Sequence, residues 1–161
     1  EMVTPVCNEV KLPQSIQKTS ALAKFSSDKN YLKNSLNYHI HRACVKLRKI
    51  NAKCKGISIF LRTKDFRVFC EKKVLNAATD FELEISDIVF ELLEKIYNEK
   101  ILYRSTGVIL DTFVFNSQAQ MSLFADINVD EKKEKLSKCF DKLEERFGKD
   151  IIQTGFIKKD V

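Results

Sequence analysis

The chain has 161 residues, with 28 Lys and Arg against 22 Asp and Glu and a formal net charge of +6. That length holds one domain with extensions and excludes two cores of ordinary size; the basic balance favours a polyanionic partner such as nucleic acid or an acidic membrane surface, or simply serves solubility. Five scattered cysteines (Cys7, Cys44, Cys54, Cys70 and Cys139) include no CxxC pair, and no apolar run reaches the ~18 residues of a membrane span. The expectation is therefore a cytoplasmic protein with free thiols, no disulfide framework, no zinc site and no membrane partner.

Residues 1–14 carry two prolines and no sustained period, and read as a linker. The opening on Glu1, without an initiator methionine or a charged-then-apolar leader, suggests a piece of a longer protein. Ser15 to Leu22 is a strand candidate whose Ser, Gln, Lys and Thr content suits one polar face. Ser26-Ser27-Asp28 offers N-cap oxygens for a helix running to about Asn51, with Leu32, Leu36, Ile40, Ala43, Leu47 and Ile50 as its apolar stripe. Lys55 to Leu75 then reads as a β-hairpin. Ile57, Ile59 and Leu61 alternate with Ser58, Phe60 and Arg62, a polar turn falls at Lys64-Asp65, and the second alternation has apolar residues on both faces.

Thr79-Asp80-Phe81-Glu82 has capping-box spacing and predicts a second helix, on Ile85, Ile88, Val89, Leu92, Leu93, Ile96 and Tyr97. Tyr103 to Phe115 is a fourth strand, with Gly107 placed where no side chain is wanted. A linker covers 116–129, and residues 130–161 form a tail with a third helix on Leu136, Phe140, Leu143 and Phe147, ended by Gly148. The whole is an α+β chain of split β-α-β-β-α-β order. Residues 15–115 form the domain, a four-stranded sheet with two helices on one face and the other face open.

Catalytic patterns are absent: there is no P-loop, GxGxxG, GxSxG or HExxH, and no strand supplies two carboxylates for a two-metal centre. No catalytic residue and no metal ligand is assigned, and the chain by itself is not expected to be an enzyme. His39, His41 and Cys44 look metal-like in letters, but on a helix the two histidines point about 200° apart. More informative are Lys18, Arg62, Lys64, Arg67, Lys72, Lys73 and Arg104, interleaved with Ser15, Thr19, Ser20, Ser58, Ser105 and Thr106. Charges for affinity and short polar groups for position suit phosphate binding without base reading. A solvated sheet face would look the same. Gln120-Met121-Ser122-Leu123-Phe124 ends in two large apolar residues inside a linker, which must pack either on the domain or on a partner.

Taken in order, several of these stretches resemble the C-terminal little-finger domain of Y-family translesion DNA polymerases (DinB/UmuC, ImpB/MucB/SamB type), from about Pro13 to Phe124. Pro13-Gln14-Ser15-Ile16 is similar to the lysine-serine-isoleucine entry to the first strand. Lys46-Leu47-Arg48 is similar to the end of the first helix, and Phe60-Leu61-Arg62-Thr63-Lys64-Asp65-Phe66 to the "LRxxDF" hairpin. Arg104-Ser105-Thr106-Gly107-Val108 is similar to the fourth strand, and Gln120 to Phe124 to the pentapeptide with which bacterial members dock on the β sliding clamp, Met121 taking the leucine slot.

The resemblance implies an accessory domain of an error-prone polymerase of the bacterial SOS response. It would grip duplex primer–template DNA and bind the sliding clamp and its own polymerase core. It implies Ser15, Lys18, Ser20, Arg62, Lys72, Lys73, Arg104 and Ser105 as DNA contacts, and Gln120, Met121, Ser122, Leu123 and Phe124 as clamp contacts. Glu71 departs from a stretch that is often basic in the family. No cofactor is expected in this chain; Mg2+ and the catalytic carboxylates belong to the polymerase palm, which has no counterpart here. The rival is a single-stranded RNA-binding module of the RNA-recognition type, which needs aromatic and glycine patterns on its central strands; Arg67 to Lys73 has one aromatic and no glycine.

Overall fold

The computed structural model describes residues 13–115 and 127–148, with side chains from 131 onward in the second stretch. Seven elements follow one another: β1 (Ser15–Ser26), α1 (Lys29–Lys49), β2 (Ala52–Thr63), β3 (Val68–Thr79), α2 (Glu82–Ile96), β4 (Tyr103–Phe115) and α3 (Ile127–Phe147). The strands form one sheet in the order β1-β4-β2-β3, every neighbouring pair antiparallel. It follows that β1 runs parallel to β2 with β4 between them, and β3 parallel to β4 with β2 between them. The fold is two split β-α-β units interleaved, as the element order predicts.

Local chemistry accounts for most element ends. Asp28 caps α1, its carboxylate accepting from the Asn30 N–H at 2.9 Å, and Asn51 leaves the helix in the left-handed region (φ 51°) that asparagine tolerates. The start of α2 differs from the expected capping box. The helix begins at Glu82, so Thr79 stays in β3, where its hydroxyl accepts from the Phe81 N–H and donates to Glu84.

Helices α1 and α2 cover one face of the sheet. Leu32, Leu36, Ile40, Ala43 and Leu47 of α1 and Ile85, Val89, Leu92 and Leu93 of α2 pack on Ile57, Ile59 and Leu61 of β2 and Val108 and Leu110 of β4. All are fully buried, and at about 1.5–3 kcal/mol per large side chain this layer dominates the stability of the fold. Polar groups within it are bonded: the hydroxyls of Ser35 and Thr106 meet at 2.7 Å, and Ser20 Oγ meets His39 Nε2 at 3.2 Å. Burial and the nearby Lys18 charge push His39 down to about 4, so it stands there as the neutral imidazole.

The third helix adds an outer layer, whose docking face its apolar spacing leaves open. Leu136 and Phe147 are exposed and Phe140 and Leu143 only half-buried, so the apolar stripe is not the docking face. Docking instead uses Lys133, Ser137, Asp141 and Glu144, spaced four, four and three along the adjacent stripe. Lys133 pairs with Glu84, Asp141 receives two bonds from Arg48 (2.8 and 2.6 Å), and Glu144 meets His41 Nε2 at 2.7 Å. Glu82, Glu84 and Glu94 of α2 and Asp141 and Glu144 of α3 thus serve to hold the helices together.

Candidate nucleic-acid interface

Strand pairing fixes which side chains share the face that no described helix covers. Crossing the sheet from β1 to β3, the rows are Ser15, Asp111, Gly56 and Val74; Gln17, Ile109, Ser58 and Lys72; Thr19, Gly107, Phe60 and Cys70; and Ala21, Ser105, Arg62 and Val68. Opposed residues of an antiparallel pair point to the same side, so these sixteen form one surface. Its edges are exposed, while Ser58 and Ser105 on the central strands are buried among their neighbours.

Two glycines shape this face. At Gly56 a Cβ would lie 1.8 Å from Asp111 Oδ1; without one, the carboxylate folds across the strand to Lys72 Nζ, at 2.9 and 2.7 Å. Burial of Asp111 opposes its ionisation, but the bonds from Lys72 and Thr112 outweigh that and hold its carboxyl below the usual range. At Gly107 a Cβ would meet the Phe60 ring at 2.3 Å, so the ring lies flat on the bare backbone. Gly107→Ala is expected to lift that ring at a cost of roughly 1–2 kcal/mol, read from the urea midpoint at unchanged m-value.

The eight candidate DNA contacts separate by position. Ser15, Arg62, Lys72 and Ser105 lie on the open face. Lys18 and Ser20 share the helix side of β1 with Ile16 and Leu22. Ser20 is engaged with His39, and Lys18 is held below its ordinary pKa by burial and by the Lys46 and Arg42 charges of α1. Lys73 pairs with Ile57, which turns it to the helix side and into an ion pair with Glu91 at 2.5 Å. Arg104 sits where the β2–β4 register shifts, its guanidinium 4.4 Å from the centroid of the Phe66 ring. The sheet face alone therefore gathers four of the eight. Glu71, like Lys73 and Phe69, lies on the helix-facing side of β3.

The basic candidates on and beside this face also differ in pairing. Lys72 and Lys73 are each matched by a carboxylate, whereas Arg62, Lys64, Arg67 and Arg104 make no ion pair among the described residues. All four lie at one end of the sheet, around the β2–β3 turn. Its backbone is tied by Thr63 N–H to Arg67 O (2.8 Å), Phe66 N–H to Thr63 O (3.1 Å) and Lys64 N–H to Leu102 O (2.8 Å). Gln17 and Thr19 add exposed polar groups to the face. The pentapeptide Gln120 to Phe124 lies outside the described residues.

Within the sixteen-residue surface β2 and β4 bring a single aromatic ring, Phe60, and it covers Gly107. That is not a base-stacking platform of the RNA-recognition kind. Among the described residues no three His, Cys, Asp or Glu side chains come together as a metal site; His39 faces the sheet and His41 the outer helix.

Comparison with known proteins places this geometry. A model of the "impB/mucB/samB family C-terminal domain" matches residues 13–123. Curated relatives include DNA polymerase IV of Clostridium kluyveri, 27% identical over 91% of this chain, and DNA polymerase IV of Clostridium acetobutylicum, 33% identical over 70%. Protein ImpB of Salmonella typhimurium is 30% identical over 73%. The chain spans only 38%, 28% and 29% of these three relatives. Among solved structures, an insertion ternary complex of Dbh DNA polymerase covers 63% of this chain at TM-score 0.52 and 19% identity. DinB from Sulfolobus solfataricus does so at TM-score 0.51; in each case 29% of that chain is matched, and the likeness is one of fold. The chain belongs to the impB/mucB/samB family, whose C-terminal domain it matches over residues 13–123.

Proposed function

We propose that this domain grips the duplex primer–template of an error-prone translesion polymerase by its phosphates, and docks the polymerase on the β sliding clamp through Gln120 to Phe124. The observation that carries the first part is the placement of charge. Among the described residues Arg62, Lys64, Arg67 and Arg104 make no ion pair, and the sheet face beside them carries the short polar side chains Ser15, Thr19, Ser58 and Ser105 among apolar ones, a set suited to phosphates. Family membership supports the first part, since two of the named relatives are DNA polymerases IV. We assign nucleotidyl transfer, its Mg2+ and the lesion-bypass chemistry to a catalytic core outside this chain, working in the bacterial cytoplasm during the SOS response.

The test is a titration with a blunt duplex at several salt concentrations. If four to six phosphates are contacted, log K should fall against log salt with a slope of roughly −4 to −5. Asp111 gives a sharper check. Releasing Lys72 by Asp111→Asn adds a free cation to the face, so affinity is expected to rise and the slope to steepen by roughly one. A slope near zero, or an Asp111→Asn variant that binds no better than wild type, would remove phosphate gripping by this face.

A further inference from the structure

We propose that the tip of the β2–β3 hairpin is a stacking site for an unpaired DNA base, with Phe66 as the platform. The inference rests on the DNA-binding reading and adds a second, single-stranded element to it. Phe66 is 66% exposed, the most exposed of the large apolar side chains described. One face of its ring carries the Arg104 guanidinium at 4.4 Å, which leaves the opposite face to solvent. A ring backed by a cation and open on the other side is the arrangement on which a base stacks.

The backbone makes this placement deliberate. Phe66 has φ 66°, a left-handed conformation that is unfavourable for a bulky residue and that glycine would adopt freely. The strain persists because the turn is over-determined: the three backbone bonds named above and the Arg67 N–H to Thr63 Oγ1 bond (3.1 Å) hold it closed. Strain of this kind, maintained to expose a side chain and not to bury one, marks sites where position matters more than stability.

Charge decides the occupant. Lys64 and Arg67 neighbour Phe66 in the turn and Arg104 backs its ring, all three with no ion pair among the described residues, and Asp65 is the turn's one carboxylate. An aromatic ring among unneutralised cations fits a planar group joined to phosphates. Bases within a duplex are already stacked on both faces, so the base must be an unpaired one, such as a template base beyond the duplex end.

The experiment compares this chain's affinity for a blunt duplex with that for the same duplex carrying a short overhang with 2-aminopurine. The overhang is expected to bind roughly tenfold tighter and its fluorescence to be quenched. Phe66→Gly should abolish the advantage and the quenching, leave blunt-duplex affinity unchanged, and raise the melting temperature by relieving the strain. Phe66→Tyr should keep the advantage. An overhang that binds no better than the blunt duplex, an advantage that survives Phe66→Gly, or equal loss for both probes would overturn the stacking site. If the blunt duplex itself shows no salt-dependent binding, the DNA-gripping reading fails and this inference with it; blunt binding without the overhang advantage sinks this inference alone.

Discussion

Replacing Leu123 and Phe124 together by alanine is expected to weaken binding to a β sliding clamp by roughly a thousandfold. Two apolar anchors that each fill a pocket are worth on the order of 2 kcal/mol apiece, and ~4 kcal/mol corresponds to three powers of ten in affinity. These residues lie outside the described part of the chain, so the expectation stands on their order and chemistry. Gln120 supplies a polar end, Ser122 a small spacer, and Leu123 and Phe124 the bulk. Met121 occupies a slot where leucine is commoner, and a swap of similar volume costs less than ~1.5 kcal/mol, so Met121→Leu should bind as well as wild type or slightly better. Calorimetric titration with purified clamp provides the measurement, and blunt-duplex affinity provides the control. A double variant within a fewfold of wild type would show that the anchors are elsewhere. Loss of duplex binding in the same variant would mean that the pair packs on the domain.

The order of elements and the core faces were legible because both helices and β2 keep strict periods of 3.6 and 2. Leu32, Leu36 and Ile40, like Ile57, Ile59 and Leu61, fall where the pattern puts them. The open face was legible only in part, for three separate reasons. Lys18 and Ser20 share parity with Ile16 and Leu22, so the alternation of β1 by itself puts them on the helix side. Lys73 was different: β3 carries apolar residues on both faces, and only its pairing with Ile57 assigns the side. For Arg104 no alternation suffices, because the register shift next to Thr63 breaks it.

The docking face of α3 was hidden for a further reason. A helix with an apolar stripe is expected to bury it, yet this one is seated by a stripe of charges whose partners come from α1 and α2. His41 lies at the centre of that contact, with side-chain exposure of 15%. Its Nδ1 is 3.0 Å from Glu82 Oε2 of α2 and its Nε2 2.7 Å from Glu144 Oε1 of α3. One imidazolium thus bridges two nearly buried carboxylates, a role that neither a solvated helix position nor a neutral core histidine would give it.

A large pH dependence follows from that bridge. The hydrogen bond to Glu82 raises His41 from its ordinary 6.5 to about 9, against the cost of burial, and the Glu82 charge and Glu144 add to the rise. Because the folded value lies above the unfolded one, the stabilisation is complete below pH 6.5 and is lost as pH climbs through 9. A shift from 6.5 to about 9 amounts to roughly 3 kcal/mol at 1.36 kcal/mol per unit. For a chain of this size, that is a fall of roughly 6–12 °C in melting temperature.

The other groups packed around the site set the shape of the loss. Arg48, bonded to Asp141, stays charged throughout the window, so α3 remains tethered at one point while its Glu144 contact weakens. Cys44, fully buried beside them, is pushed far above its ordinary range and stays a thiol. Urea unfolding at pH 6 and pH 9.5 should therefore show a stability loss in wild type and little change in His41→Gln. Amide exchange, corrected for its intrinsic pH dependence, should accelerate in α3 before it does in the sheet. A wild-type stability that is flat over this range, or a loss of equal size in His41→Gln, would show that the bridge does not seat the helix.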